Sequence, residues 1–223
     1  MFRHVKACRV RQRRWRALTN FGHNLMRRAE TELVVSSPYL VPGKDGMALI
    51  SELRVRDVSV TMLTNSLGST DEPVVHLGYF DYREPMLDLG VELYEISSSR
   101  VKRNKVKNLF SALLGRLHAK LAVVDRKTIF IGSMNLDPRS ATINTELGAV
   151  IASTELAREL ISVIDIDRLQ NAYRVRRSAN GRALEWKSMD DDKEMVLTEE
   201  PDSSFWLRLK LRLLSLFVPE SLL

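Results

Sequence analysis

The 223-residue chain has a single cysteine, Cys8. That excludes an internal disulfide and any zinc site built on cysteine pairs, and it fits a reducing compartment. No apolar run approaches the roughly 18–20 residues needed to cross a bilayer. No apolar stretch follows the basic N-terminus, so the sequence predicts no secretory signal peptide. There is no internal repeat, which sets aside solenoid and propeller architectures. Acidic residues are absent from residues 1–28, a stretch with nine Lys/Arg.

What remains is ordinary in bulk and uneven in detail. The chain is 44% hydrophobic and 28% charged, enough apolar content for a core at this length. Its net charge of +6 is concentrated in residues 1–28 and in SRVKRNKVK at 99–107. Such clusters suit an anionic phospholipid surface, nucleic acid or an acidic protein, and they equally suit a solvated loop.

Hydrophobic patterning predicts alternating strands and helices. ELVVSSPYLVPG (32–43) reads as a buried strand ending in a Pro/Gly turn and loop, and VSVTMLTNS and VELYEI are two further strands. Helical spacing appears in MALISELRVR (47–56), in residues 72–90 and in 154–170. Pro85 is expected to kink or split the second of these. LHAKLAVVD and TIFIGS form two strands joined by the turn DRK, and LGAVI is another. The segment 99–107 reads as a basic loop, and residues 190–202 as an exposed acidic linker. The C-terminal FWLRLKLRLLSLFVPESLL fits an amphipathic helix or a strand. The expected organisation is a basic N-terminal segment (1–28), an α/β catalytic unit (29–185) and an acidic linker with an amphipathic C-terminal segment (186–223).

The chemistry is concentrated in residues 117–151. In an extended strand His118 and Lys120 share a face, and Asp125 ends that strand at the turn. Gly132 permits close backbone approach, and Ser133 and Asn135 add two short polar groups. Lys120, the Ser133 hydroxyl and the Asn135 amide can hold non-bridging phosphate oxygens. An imidazole beside them can attack phosphorus or protonate a leaving alkoxide. Glu146 can orient the ring through its second nitrogen. None of these roles requires a metal or other cofactor.

Six fixed positions at roughly one in twenty recur by chance in only a few per million chains of this length. Together they match the HxKx4Dx6GSxN pattern, and the chain thereby resembles the phospholipase D superfamily. VVSSPYLVPG, VTMLTNSLGSTDEPVVHLGYFDYREPMLDLGVELYE and GSMNLDPRSATINTELGAVI resemble the C-terminal half of bacterial cardiolipin synthases of the C-type branch, over about residues 30–220. The resemblance implies an α/β half-domain with a mixed sheet flanked by helices. It implies phosphatidyl transfer between phospholipids through a phosphohistidine, with phospholipid or nucleic-acid phosphodiester hydrolysis as the alternative. A non-catalytic fragment that only binds lipid or a partner is a third reading. By this likeness His118 is the reacting imidazole, as nucleophile or general acid, and Lys120, Ser133 and Asn135 hold phosphoryl oxygens. Glu146 orients His118, and Asp125 is a structural partner. Peripheral association with the cytoplasmic side of a bacterial inner membrane is also implied.

Cardiolipin synthases carry two HxK motifs that meet at one cleft. His4, His23 and His76 begin no second motif. The expected complement is a homodimer or a missing N-terminal half, and the isolated chain is expected to be weak or inactive. His76, Tyr79 and Arg83 share one helical face that can reach a headgroup pocket or simply pack, the second being preferred. Ser37, Pro38 and Tyr39 follow a strand end, where α/β sheets bind ligands.

Overall fold

The structure is a computed structural model that describes residues 5–9, 22–104, 117–138, 140, 146–190 and 193–214. Its elements in chain order are β1 (Val5–Arg9), β2 (Glu32–Ser36), α1 (Gly43–Val55), β3 (Ser59–Asn65), α2 (Pro73–Asp88), β4 (Glu92–Ile96), α3 (Ser98–Asn104), β5 (Lys120–Val124), β6 (Thr128–Gly132), β7 (Leu147–Ala152), α4 (Thr154–Asn171), β8 (Ala172–Arg177), β9 (Leu184–Asp190), β10 (Lys193–Leu197) and α5 (Phe205–Leu214). The described strands form one sheet in the order β1-β7-β6-β5-β2-β3-β4-β8-β9-β10. The β2-β3-β4 centre is parallel, and every other pairing is antiparallel. This is the expected mixed sheet flanked by helices.

The central strands bury both faces. Leu33, Val35, Val60, Met62 and Leu93 pack with Leu49, Ile50 and Leu53 of α1 and with Tyr79 and Met86 of α2. Val34, Leu63, Tyr94 and Ile96 pack on the opposite side with Val101 of α3 and with Ala157, Ile161 and Ile164 of α4. A period-2 strand buried on both faces produces this split. Among the described residues no helix is long and apolar enough to cross a membrane.

Three expectations need correction. Pro85 does not split α2, which is continuous from Pro73 to Asp88. It lies in the last turn, so the donor it lacks interrupts the backbone ladder only at the end of the helix. The basic segment is not a loop where it is described: residues 98–104 are α3, and 105–107 lie outside the described residues. Ser97 Oγ accepts from Arg100 N at 3.2 Å and starts the helix. Arg100 is itself buried, its guanidinium donating to Ser188 Oγ at 3.0 Å and Met189 O at 2.7 Å. The acidic linker is instead largely a strand pair, β9 with β10, and Glu200 just beyond it is buried against Arg83. Within the basic N-terminal segment, Val5–Arg9 pairs with β7.

Candidate active site

β5 runs antiparallel to β2, and Leu121 pairs with Ser36. The start of β5 therefore lies where the parallel strands end, at the carboxyl edge of the sheet, where α/β folds hold ligands. His118 precedes β5 rather than lying in it, because residues 117–119 take no part in the strand ladder. Side chains hold this segment instead. Asn65, buried at the end of β3, donates from Nδ2 to Leu117 O at 3.1 Å, and its Oδ1 accepts from Leu117 N at 3.1 Å. Lys120 Nζ donates to His118 O at 3.1 Å, and Ser36 Oγ donates to Ala119 O at 3.4 Å. All three carbonyls of the segment are thus occupied, and the His118 side chain is left exposed.

Lys120 pairs directly with Gly132 across β5 and β6. A Cβ on Gly132 would lie 2.4 Å from Leu147 O and 2.9 Å from Gly148 Cα, so only glycine lets β6 and β7 approach this closely. That approach sets Ser133, whose N donates to Leu147 O at 2.8 Å and whose Oγ accepts from Leu147 N at 2.9 Å. Ser133 Oγ also donates to Glu146 Oε2 in a very short hydrogen bond. The carboxylate expected to orient His118 is therefore engaged by Ser133. Asn135 lies two residues further on, its N donating to Ser140 Oγ at 3.2 Å. Its side-chain amide hydrogen-bonds Asp137, whose Oδ1 accepts from Ser140 N at 2.7 Å. Both polar groups of the expected phosphate cradle are thus held by carboxylates.

Lys120 is the cation at the centre of this arrangement. Burial pushes its pKa down, and the charges of Glu146, Asp71 and Asp137 pull it back up. Asp137 is pushed up by its own burial, against its hydrogen bonds from Ser140 and Asn135. Asp71 also accepts from Tyr39 Oη at 2.9 Å. The loop after β2 is tied to the loop after β6, Leu136 N donating to Ser37 Oγ at 3.0 Å and Val41 N to Leu136 O at 2.7 Å. Ser37 and Tyr39 thereby lie beside the motif.

Asp125 stands at the far end of β5, about 16 Å along the strand from Lys120 at an ordinary strand rise. With Arg126 it forms the tight turn between β5 and β6, at φ of 51° and 52°, closed by Lys127 N donating to Val124 O at 3.0 Å. Its carboxylate accepts from the N–H groups of Glu30, Thr31 and Glu32 at 2.8–3.1 Å and from Thr31 Oγ1 at 2.9 Å. Burial raises its pKa, but these donors outweigh burial and hold it below the usual carboxylate range. It anchors the entry to β2, far from the imidazole.

His76, Tyr79 and Arg83 also lie apart from the motif. Arg83 bridges Glu200, by Nη1 and Nη2 at 2.9 Å each, to Glu95 at 3.1 Å, and Tyr79 donates to Glu95 at 2.9 Å. His76 lies 3.5 Å from Glu200. These side chains pack in the interior. Sequence reasoning missed Asn65, whose partner is 52 residues away and leaves no local signal.

Comparison with known proteins follows the same lines. A family model described as "Cardiolipin synthase, PLD-like domain" matches residues 23–167. The chain is similar to cardiolipin synthase C of Escherichia coli (strain K12), with 38% identity over 191 residues, covering 85% of this chain and 40% of that protein. It is 30% identical over 184 residues to an uncharacterized protein of Helicobacter pylori (strain ATCC 700392 / 26695), covering 82% and 36%. The chain thus spans about two-fifths of the length of these curated relatives. Among solved structures, its fold is similar to that of Nuc, a phospholipase D family member from Salmonella typhimurium, at a TM-score of 0.59 and 18% identity, covering 78% of this chain and 98% of that one. NucT from Helicobacter pylori follows at a TM-score of 0.54 and 17% identity, covering 75% and 98%.

Proposed function

The chain belongs to the phospholipase D-like domain family of the cardiolipin synthases, and on that premise we propose that it carries one half of a phosphatidyl-transfer centre built on His118. The observation that carries this reading is an exposed His118 just before β5 at the carboxyl edge of the sheet, with Lys120 paired to Gly132 and Ser133 bonded to Glu146 on the neighbouring strand ends. Lys120, Ser133 and Asn135 hold the non-bridging oxygens of a phosphodiester, with Ser133 and Asn135 exchanging their carboxylate acceptors for phosphate. An imidazole nitrogen attacks phosphorus in line, the P–O bond to the departing alcohol breaks as a second, protonated imidazole gives that oxygen its proton, and a phosphohistidine forms. An acceptor hydroxyl then attacks phosphorus and the P–N bond breaks, the acceptor's proton passing to the same second imidazole. Glu146 steadies the His118 ring once phosphate has displaced it from Ser133.

The sequence holds one complete HxKx4Dx6GSxN motif, so the second imidazole comes from a second copy of this chain or from an N-terminal-half segment, joined to this chain or separate. Phosphatidylglycerol or phosphatidylethanolamine donates the phosphatidyl group, a glycerol headgroup accepts it, and the protein works peripherally on an anionic membrane surface. Hydrolysis is the second reading, favoured by the exposure of His118, which lets water compete as acceptor. Nucleic acid is the lesser alternative substrate.

Product analysis separates these readings. Incubated with phosphatidylglycerol vesicles, the assembled protein is expected to form cardiolipin and glycerol, and phosphatidic acid to the extent that water competes. Replacing His118 by Ala should abolish both products, and undiminished product from that variant would overturn the proposal.

A further inference from the structure

α5 has two apolar faces, and the described residues cover only one. Leu211 is 3% exposed and packs with Leu67 and Leu77, with Leu207 and Leu214 beside it. On the other side Phe205 is 62%, Trp206 75%, Leu209 37% and Leu213 57% exposed. At 3.6 residues per turn these four fall within an arc of about 100°, with Lys210 on one flank and Arg208 on the other. Phe205–Leu214 contains three cations and no acid. Arg208 is held by Glu199 at 2.7 Å.

We propose that this outer face of α5 is the membrane-docking surface of the protein, and that its occupant is an anionic phospholipid bilayer. The chemistry matches an interfacial helix: a narrow apolar stripe led by two aromatics, bordered by cations that meet lipid phosphates. The excess of positive charge beside the stripe complements a lipid headgroup layer. The inner face rests on Leu67, in the loop after β3, and that same loop carries Asp71, which acts on Lys120. Docking through α5 therefore sets the catalytic edge against the lipid layer by a short, packed connection. This inference deepens the lipid-transfer reading and rests on it only for its purpose, since docking itself needs no turnover.

The test uses the full chain and vesicles of phosphatidylglycerol or phosphatidylcholine. Nine Lys/Arg in residues 1–28 also attract anionic lipid, so the decisive readout is Trp206 itself, isolated as the difference between the parent and Trp206→Phe. Phosphatidylglycerol vesicles should shift its emission to the blue and expose it to quenching by brominated acyl chains, with a weaker response to phosphatidylcholine. The double variant Leu209→Ser/Leu213→Ser should lower partitioning about tenfold with the circular dichroism unchanged, because both side chains are exposed. His118→Ala should dock like the parent, and product formation from detergent-dispersed lipid reports on the chemistry separately. An unmoved Trp206 signal, or unchanged partitioning of the double variant, overturns the proposal. So does a lipid-free self-association that the double variant abolishes, which would assign the face to a second copy of the chain.

Discussion

Asn65 grips both backbone groups of Leu117, the residue before His118, from a position that is almost wholly buried. On the proposed reading it is a positioning residue, fixing the backbone from which the imidazole leaves. Asn65→Leu keeps the volume and removes both bonds, leaving a buried N–H and C=O unpaired at a cost of about 1–3 kcal/mol. Turnover of the assembled enzyme should fall about 10- to 100-fold through loss of aim. KM should change little, because Lys120 and Ser133 are untouched. Urea unfolding and a kcat-against-KM comparison check this, and a lower midpoint with kcat intact would reduce Asn65 to a structural role. Gly132 offers a steric counterpart. Its added methyl would meet the Leu147 carbonyl at 2.4 Å, and backbone cannot yield as a flexible side chain would. Gly132→Ala should destabilise by about 1–3 kcal/mol and part Ser133 from Leu147, lowering activity as well as the unfolding midpoint.

Among the elements, those with strong local patterns were legible in the sequence. The alternation of Leu33, Val34 and Val35, or of Leu121, Ala122 and Val123, marks strands whose two faces meet different cores, and the spacing of Leu156, Leu160 and Ile164 marks α4. The motif likewise announced its own residues. What could not be read depends on distant partners. α3 forms because Arg100 finds β9 some 90 residues later. His118 falls outside β5 because Asn65 and Ser36 claim its neighbours' carbonyls. The expected acidic linker is folded because Glu200 reaches Arg83 and Asp202 reaches Ser99, the latter at 2.7 Å.

The cluster around Arg83 joins α2, β4 and the C-terminal segment through Glu95 and Glu200, and it titrates in two senses. Burial pushes Glu95 from its ordinary 4.5 up to about 7. The folded state then keeps a proton that the unfolded chain releases, so this contribution to stability falls as pH rises from about 4.5 to 7. Burial pushes His76 below its ordinary 6.5, partly offset by its hydrogen bond to Glu200. Here the unfolded chain takes the proton first, and stability falls as pH drops below about 6.5. The two slopes oppose each other. Glu95→Gln removes the first and leaves the second, so the variant's stability should climb with pH between about 4.5 and 6.5 more steeply than the parent's. The limit is about 1.4 kcal/mol per pH unit for one proton. Melting temperatures measured across that range give the slope directly, and parallel curves for parent and variant would disprove the opposition.

For the whole molecule, the proposed chemistry uses two imidazoles, and the sequence carries one complete HxKx4Dx6GSxN motif. His118 can accept phosphorus or move a proton, but while it is phosphorylated it cannot also deprotonate the acceptor. The monomeric chain should therefore turn over at least about 100-fold more slowly than the assembled enzyme, the scale of one lost general base. If a second copy supplies the base, specific activity rises with chain concentration, and adding excess His118→Ala chain suppresses it by forming mixed pairs. If a separate segment supplies it, activity stays low at every concentration of this chain and appears when a polypeptide carrying the other motif is added. Light scattering alongside the assay ties rate to mass. Fast turnover by a species of monomer mass, lost on His118→Ala, would show that one imidazole suffices, with another group of this chain, Glu146 being the nearest to Ser133, acting as the base.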